Sequence, residues 1–205
     1  QADLLGAQVL GITSVMAVAG EPVAMGDHLD AKPVYDLTPA SFLEAAAGMA
    51  KGLDLAGQEL KGKPKFCLGA RIEPWADPAE LAQRLDAAKA AVAKGAAFLV
   101  APAVFDLAAF GEFMKQAKGL GVPVIAGVLL LKSVGMARYL NQNLAGVAIS
   151  EATIRRIRGA SDRTAECVKI AAETIKGLKP LCGGALIITA GWEDRLPEIL
   201  DASGL

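Results

Sequence analysis

The chain lacks most of the features that would announce a function. Basic excess is absent: 21 Lys and Arg face 22 Asp and Glu, for a net charge of −1, which argues against a nucleic-acid surface. Long apolar runs are absent too. The stretch 122–131 is among the longest, and it is too short for a bilayer and contains Pro123 and Gly127, so no membrane partner is expected. No signal peptide is visible. There are three cysteines, Cys67, Cys167 and Cys182, with no CxxC pair and no histidine at ligand spacing. They read as reduced, largely buried thiols of a cytoplasmic protein, and no metal site is expected. The only histidine, His28, falls in a loop, which argues against a Ser-His-Asp triad. Gly183-Gly184 does not make GxGxxG, and no P-loop is present. Aromatics are few, at 5%.

What is present is apolar residues in units. More than half of the 205 residues are hydrophobic, enough for a core, and no low-complexity linker breaks the chain, so one domain over 1–205 is expected. Apolar runs alternate with amphipathic segments, the pattern of a parallel sheet. Six strands are expected: 14–18, 65–71, 97–101, 123–128, 147–149 and 184–189. Helices are expected over 39–51 (capped by Thr38, Pro39 first), 78–94 (capped by Asp77, closed by Gly95) and 107–118 (capped by Asp106). Others follow over 133–141, 152–157, 163–177 (capped by Ser161) and 192–200. Residues 2–10 read as a helix already in progress behind Gln1, so the chain is expected to be a piece of a longer protein. The fold class is α/β: either a (β/α)8 barrel without its first units, since complete ones take about 250 residues, or a doubly wound open sheet.

The densest information lies in Val15 to Leu37. Val15–Val18 is a strand with no polar alternation, as in one buried on both faces. Ala19-Gly20-Glu21-Pro22 then turns the backbone and leaves a carboxylate at the sheet edge, where parallel α/β folds hold ligands. A loop follows with Gly26-Asp27-His28 and Lys32-Pro33-Val34-Tyr35-Asp36.

Five segments in order carry a resemblance. Gly20–Leu37 looks like a Gly-acid strand end followed by a GDH…AKPV-aromatic-DL loop. Lys65–Trp75 (KFCLGARIEPW) is similar to FxIGAxxxP, and Lys94–Asp106 (KGAAFLVAPAVFD) to AGAxFxxTQxxFD. Ala126–Tyr139 (AGVLLLKSVGMARY) is similar to GxxPLKSxxxARF, and Thr189–Leu205 to a terminal GWEExVPEIL. Together they resemble the methylenetetrahydrofolate reductase family of the acetogen type.

The resemblance implies a (β/α)8 TIM barrel missing about its first three strands, with FAD as cofactor and NAD(P)H or another reduced electron donor. It implies hydride transfer to a folate substrate, 5,10-methylenetetrahydrofolate. Glu21 takes the position of an acid beside flavin and folate, as the candidate catalytic residue. Ala19, Gly20, Glu21, Tyr35, Arg71 and Trp75 are the candidate cofactor contacts. The general acid of the family falls on the missing portion. Each residue also has a plainer reading: Glu21 a capping acid, Tyr35 a loop-packing ring, Arg71 and Glu73 a surface pair, Trp75 a lid on the next helix, His28 and Lys32 solvated loop residues.

Three departures from the family's pattern stand out. Ala101-Pro102 replaces a Thr-Gln pair, Leu130 replaces a proline, and Ala91 replaces a lysine directed at FAD phosphate, with Lys89 on another part of that helix. They motivate an alternative, a non-catalytic barrel paralogue serving as scaffold or partner subunit. A homo-oligomer or a partner reductase subunit is expected because a truncated barrel leaves strand edges unpaired.

Overall fold

The computed structural model describes residues 1–205 except Glu21, Leu29, Ala76, Asp77 and Ala145, and the side chains of Pro78 and Ala79. The chain runs α1 (Ala2–Val9), β1 (Ser14–Ala17), α2 (Pro39–Lys51), β2 (Cys67–Arg71), α3 (Pro78–Ala93), β3 (Ala96–Ala103) and α4 (Leu107–Ala117). It continues with β4 (Val124–Leu129), α5 (Val134–Asn143), α6 (Glu151–Gly159), α7 (Arg163–Leu178), β5 (Gly184–Ile188) and α8 (Leu196–Ser203). The class is α/β, with strand order β1-β2-β3-β4-β5. The residues fall into two compact units, Gln1–Arg71 with Asp86–Leu99, and Ile72–Leu85 with Val100–Leu205.

In the first unit β1 and β2 pair in parallel, Ser14 opposite Cys67 and Ala17 opposite Ala70. Helix α2 begins where the sequence places it. Thr38 caps it, its hydroxyl accepting from the Ser41 N–H at 3.2 Å while Ser41 Oγ accepts from the Thr38 N–H at 2.8 Å. Pro39 occupies the first turn without losing a hydrogen bond, and Gly52 ends the helix in the left-handed conformation. Leu43, Ala46 and Met49 bury one stripe of it. Gly69 in β2 is fixed by packing, because a Cβ there would run into the Phe98 ring. Lys94 and Glu44 join α2 to the turn before β3 at 2.9 Å.

In the second unit β4 and β5 pair in parallel, Ile125 opposite Gly184 and Leu129 opposite Ile188. Helix α7 is the main apolar support, burying Cys167, Val168, Ala171, Ala172, Ile175 and Leu178. Arg156 of α6 ties it down. Its Nε donates to Glu166 Oε1 at 2.8 Å, and its Nη1 and Nη2 donate to the two oxygens of Glu173 at 2.8 and 3.2 Å. That fork-on-carboxylate geometry holds the Glu173 carboxyl below its ordinary range and raises Arg156.

Several sequence expectations are corrected. Val147–Ile149 is not a strand, so among the described residues there are five strands and not six. The Asn141 amide takes the hydrogen bonds that a strand partner would have made: Nδ2 donates to the Ile149 carbonyl and Oδ1 accepts from the Ile149 N–H, both at 2.8 Å. Ile149 instead joins a cluster with Leu131, Leu140, Ile154 and Ile157. The cap of α7 is Asp162, not Ser161, with its carboxylate accepting from Ala165 N–H at 3.0 Å. The last helix opens at Leu196, after a 3-10 turn over Glu193–Arg195, not at Trp192. Cys167 is buried, but Cys182 is only partly so and Cys67 is exposed, so the thiols are not uniformly sheltered. The expected Asp77 cap lies outside the described residues.

Candidate ligand site

The carboxyl end of β1 opens into a cleft of about 300 Å³ in the first unit, lined by residues 16–20, Tyr35, residues 37–39 and Phe42. Local sequence explains each wall. Ala17, Ala19 and Gly20 are too small to fill the space above the strand end. Thr38 and Pro39 are there because α2 must start there. Phe42 follows one turn into α2. The lining is mostly apolar, and Tyr35 and Thr38 are the lining residues with polar side chains.

Tyr35 is held in an unusual way. Its φ is +47°, a left-handed backbone that costs a non-glycine residue about 1 kcal/mol. The residue is 70% exposed, and its hydroxyl accepts from the Val23 N–H at 3.4 Å. Tyr35 is thus tied back to Val23, and it lines the cleft and is not packed into the core. Met16, Val18, Val34 and Leu37 are also exposed apolar groups.

Of the residues singled out from the sequence, Ala19, Gly20 and Tyr35 are brought together by this cleft. Glu21 lies outside the described residues. Arg71 ends β2 and is exposed, and Arg71 and Glu73 each have a polar or electrostatic partner. Trp75, in the second unit, is packed. Its ring lies 6.4 Å from that of Phe110, its carbonyl accepts from Arg84 Nη1 at 2.8 Å, and it sits against Gly146. Neither Arg71 nor Trp75 lines the β1 cleft. His28 and Lys32 are exposed loop residues.

The sequence did not single out Thr38, Pro39 and Phe42 as cleft-lining residues. The signal was available: a helix that starts directly after a strand-end loop presents its first turn to the same space.

Pro102 has a structural explanation. In the second unit Val100 accepts from the Ile72 N–H at 3.0 Å, whereas Val104 donates to the Gly127 carbonyl at 2.9 Å. Residues at even spacing on a regular strand bond to the same neighbour. β3 thus changes its hydrogen-bonding side between Val100 and Val104, and Pro102, which has no N–H to lose, lies midway.

Paired parallel strands with a mostly apolar cleft at a strand's carboxyl end place the chain in the α/β class, whose members commonly hold ligands at that edge. The family model for methylenetetrahydrofolate reductase matches residues 1–184, and the chain belongs to that family. No curated protein matches the sequence. Membership points to a methylenetetrahydrofolate reductase-like role, hence to an oxidoreductase. Among the described residues no helix is long and apolar enough to cross a membrane.

Proposed function

We propose that the chain forms part of a flavin-dependent reductase that acts on a methylene folate in the cytoplasm. The observation that carries this reading, beside family membership, is the β1 cleft: about 300 Å³, mostly apolar, floored by small residues and edged by an exposed tyrosine. Those residues fit a flat aromatic ring such as the isoalloxazine of FAD. When bound, that group supplies hydride-transfer chemistry, with NAD(P)H or another reduced donor as the source of electrons. Ala17, Ala19 and Gly20 would leave room for the ring, and Phe42 and Leu37 would offer it apolar contacts. Tyr35 Oη can donate one hydrogen bond while accepting from Val23. Glu21, next in sequence to Gly20, stabilises the iminium cation that a methylene folate forms before it is reduced. Arg71 offers a cation for a diphosphate at the end of the neighbouring strand β2.

The five strands among the described residues match the number that a (β/α)8 barrel retains without its first three, which supports reading 1–205 as one partial barrel domain; its partner would be another copy or a reductase subunit. Carboxyl-end residues also favour a second reading. Pro102 is half-buried and Leu130 only 1% exposed, and neither side chain can hydrogen-bond a pterin or a carboxamide. On this reading the protein is a scaffold that keeps the fold without the reaction.

Anaerobic spectroscopy separates the two. A reductase shows a visible flavin band that is bleached by a reduced donor and restored by 5,10-methylenetetrahydrofolate. Glu21→Gln slows the second half-reaction more than the first. A protein that shows no band after incubation with FAD is the scaffold.

A further inference from the structure

A second cavity, of about 150 Å³, opens in the second unit at the amino end of β5. Its walls are the last turn of α7, the turn into β5 and the end of α8, and it shares no residue with the β1 cleft. Small residues leave the space. Gly183 is held to glycine by packing, since a Cβ there would stand 2.7 Å from the Pro123 Cβ, whereas a Cβ on Gly184 meets nothing within 4 Å. Ser203 is 4% exposed and turns its hydroxyl back to donate to the Leu200 carbonyl at 2.7 Å.

The lining joins an apolar wall to two cations. Ile175 and Leu178 are buried and give the wall. Lys176 and Lys179 are exposed and line the same space, at a spacing that puts them on one face of the helix end. Among the described residues neither forms an ion pair. Glu173, whose carboxyl feels the charge of Lys176, has both its oxygens on Arg156. An apolar cavity of this volume admits a guest the size of benzene. The two ammoniums call for an anion, and several features hold its charge to one. Helix α7 ends here with the negative pole of its dipole. The lining has no arginine fork for a phosphate, and the N–H groups of Cys182 and Gly183 are already taken by the Leu178 and Val124 carbonyls. The Cys182 thiol is neutral in its contacts, with the Leu178 and Gly184 carbonyls as acceptors at 3.5 and 3.3 Å.

We propose that this cavity is a binding site for a small apolar monocarboxylate, with a body the size of a benzene ring against Ile175 and Leu178 and its carboxylate between the ammoniums of Lys176 and Lys179. The site stands apart from the function proposed above and does not rest on it. Cys182 reports its occupancy, because a guest that fills the cavity covers the thiol. Cys67, exposed in the first unit, and Cys167, buried, serve as internal controls.

The test is alkylation of the chain by iodoacetamide, with each thiol followed by peptide mass, in the presence of benzoate, of neutral benzamide of the same shape, or of inorganic phosphate. Calorimetric titration with the same three probes runs beside it. Benzoate should slow the labelling of Cys182 in a saturable way and leave that of Cys67 unchanged. Benzamide should need concentrations about three- to tenfold higher, the difference that exposed ion pairs supply. The double variant Lys176→Gln, Lys179→Gln should bring benzoate down to the level of benzamide and leave benzamide itself unchanged, which a loss of structure would not do. Equal potency of benzoate and benzamide overturns the proposal, as does protection by phosphate as strong as by benzoate. Parallel protection of Cys67, or benzoate binding that the two lysine substitutions do not weaken, also overturns it. So does the absence of saturable benzoate binding by calorimetry.

Discussion

Gly127 has no room for a side chain because Pro102 lies against it: a Cβ on Gly127 would stand 2.8 Å from the Pro102 carbonyl carbon and 2.8 Å from the Ala103 nitrogen. The irregular step in β3 and the glycine in β4 are therefore one feature. Gly127→Ala should destabilise the protein by about 1–3 kcal/mol, since the contact is with backbone that cannot rotate away. Chemical denaturation measures it, and an unchanged midpoint would show that β3 shifts freely.

Ala101, beside Pro102, is 1% exposed. Ala101→Thr adds a hydroxyl and bulk to a filled site and should cost about 1–3 kcal/mol. Restoring a Thr-Gln pair thus needs to be done one residue at a time. Pro102→Gln alone, at a half-buried position, is the variant in which a gain in folate affinity can be measured without this loss.

Asn141 stands in for a missing strand partner. Asn141→Leu leaves the Ile149 N–H and carbonyl without their bonds and should lower stability by roughly 1–3 kcal/mol in a thermal melt. Asn141→Asp should be milder, because its carboxylate can still accept from the Ile149 N–H.

The Arg156–Glu173 pair predicts an acid response. The Glu173 carboxyl is held below its ordinary range, chiefly by the hydrogen bonds from Arg156. Its contribution is complete above the unfolded value of about 4.3 and is lost as pH falls through the lower folded value. Both side chains are more than a third exposed, so the pair is worth at most about 1 kcal/mol. Arg156→Lys breaks the fork, and its stability should therefore differ from native at pH 6 and converge with it near pH 2.

The sequence was most legible where local chemistry decides the structure. Thr38-Pro39 and Asp106 start their helices as expected because a side-chain acceptor and a missing N–H act within one turn. The strand at Val147–Ile149 was misread because its partner is a side chain eight residues away, which no periodicity reveals. Asp162 displaced Ser161 because either residue can cap, and only the helix start decides between them. At the site, Gly20 and Tyr35 were visible as a strand end and a loop aromatic. The contact of the Lys132 ammonium with the Trp192 ring, 5.7 Å from its centroid, was not visible, because it joins segments some sixty residues apart through the register of β4 and β5.

A flavin ring in the β1 cleft would lie beside Gly20, which gives the most direct access to it. A Cβ on Gly20 meets nothing within 4 Å, so Gly20→Leu can be accommodated by the backbone while its side chain fills the space. The measurement is titration of native and Gly20→Leu protein with FAD, followed by quenching of flavin fluorescence, with circular dichroism to show that the fold is kept. The account predicts saturable binding to the native protein and a loss of at least about tenfold in the variant, or roughly 1.4 kcal/mol. No binding to the native protein, or equal binding to both, would contradict it.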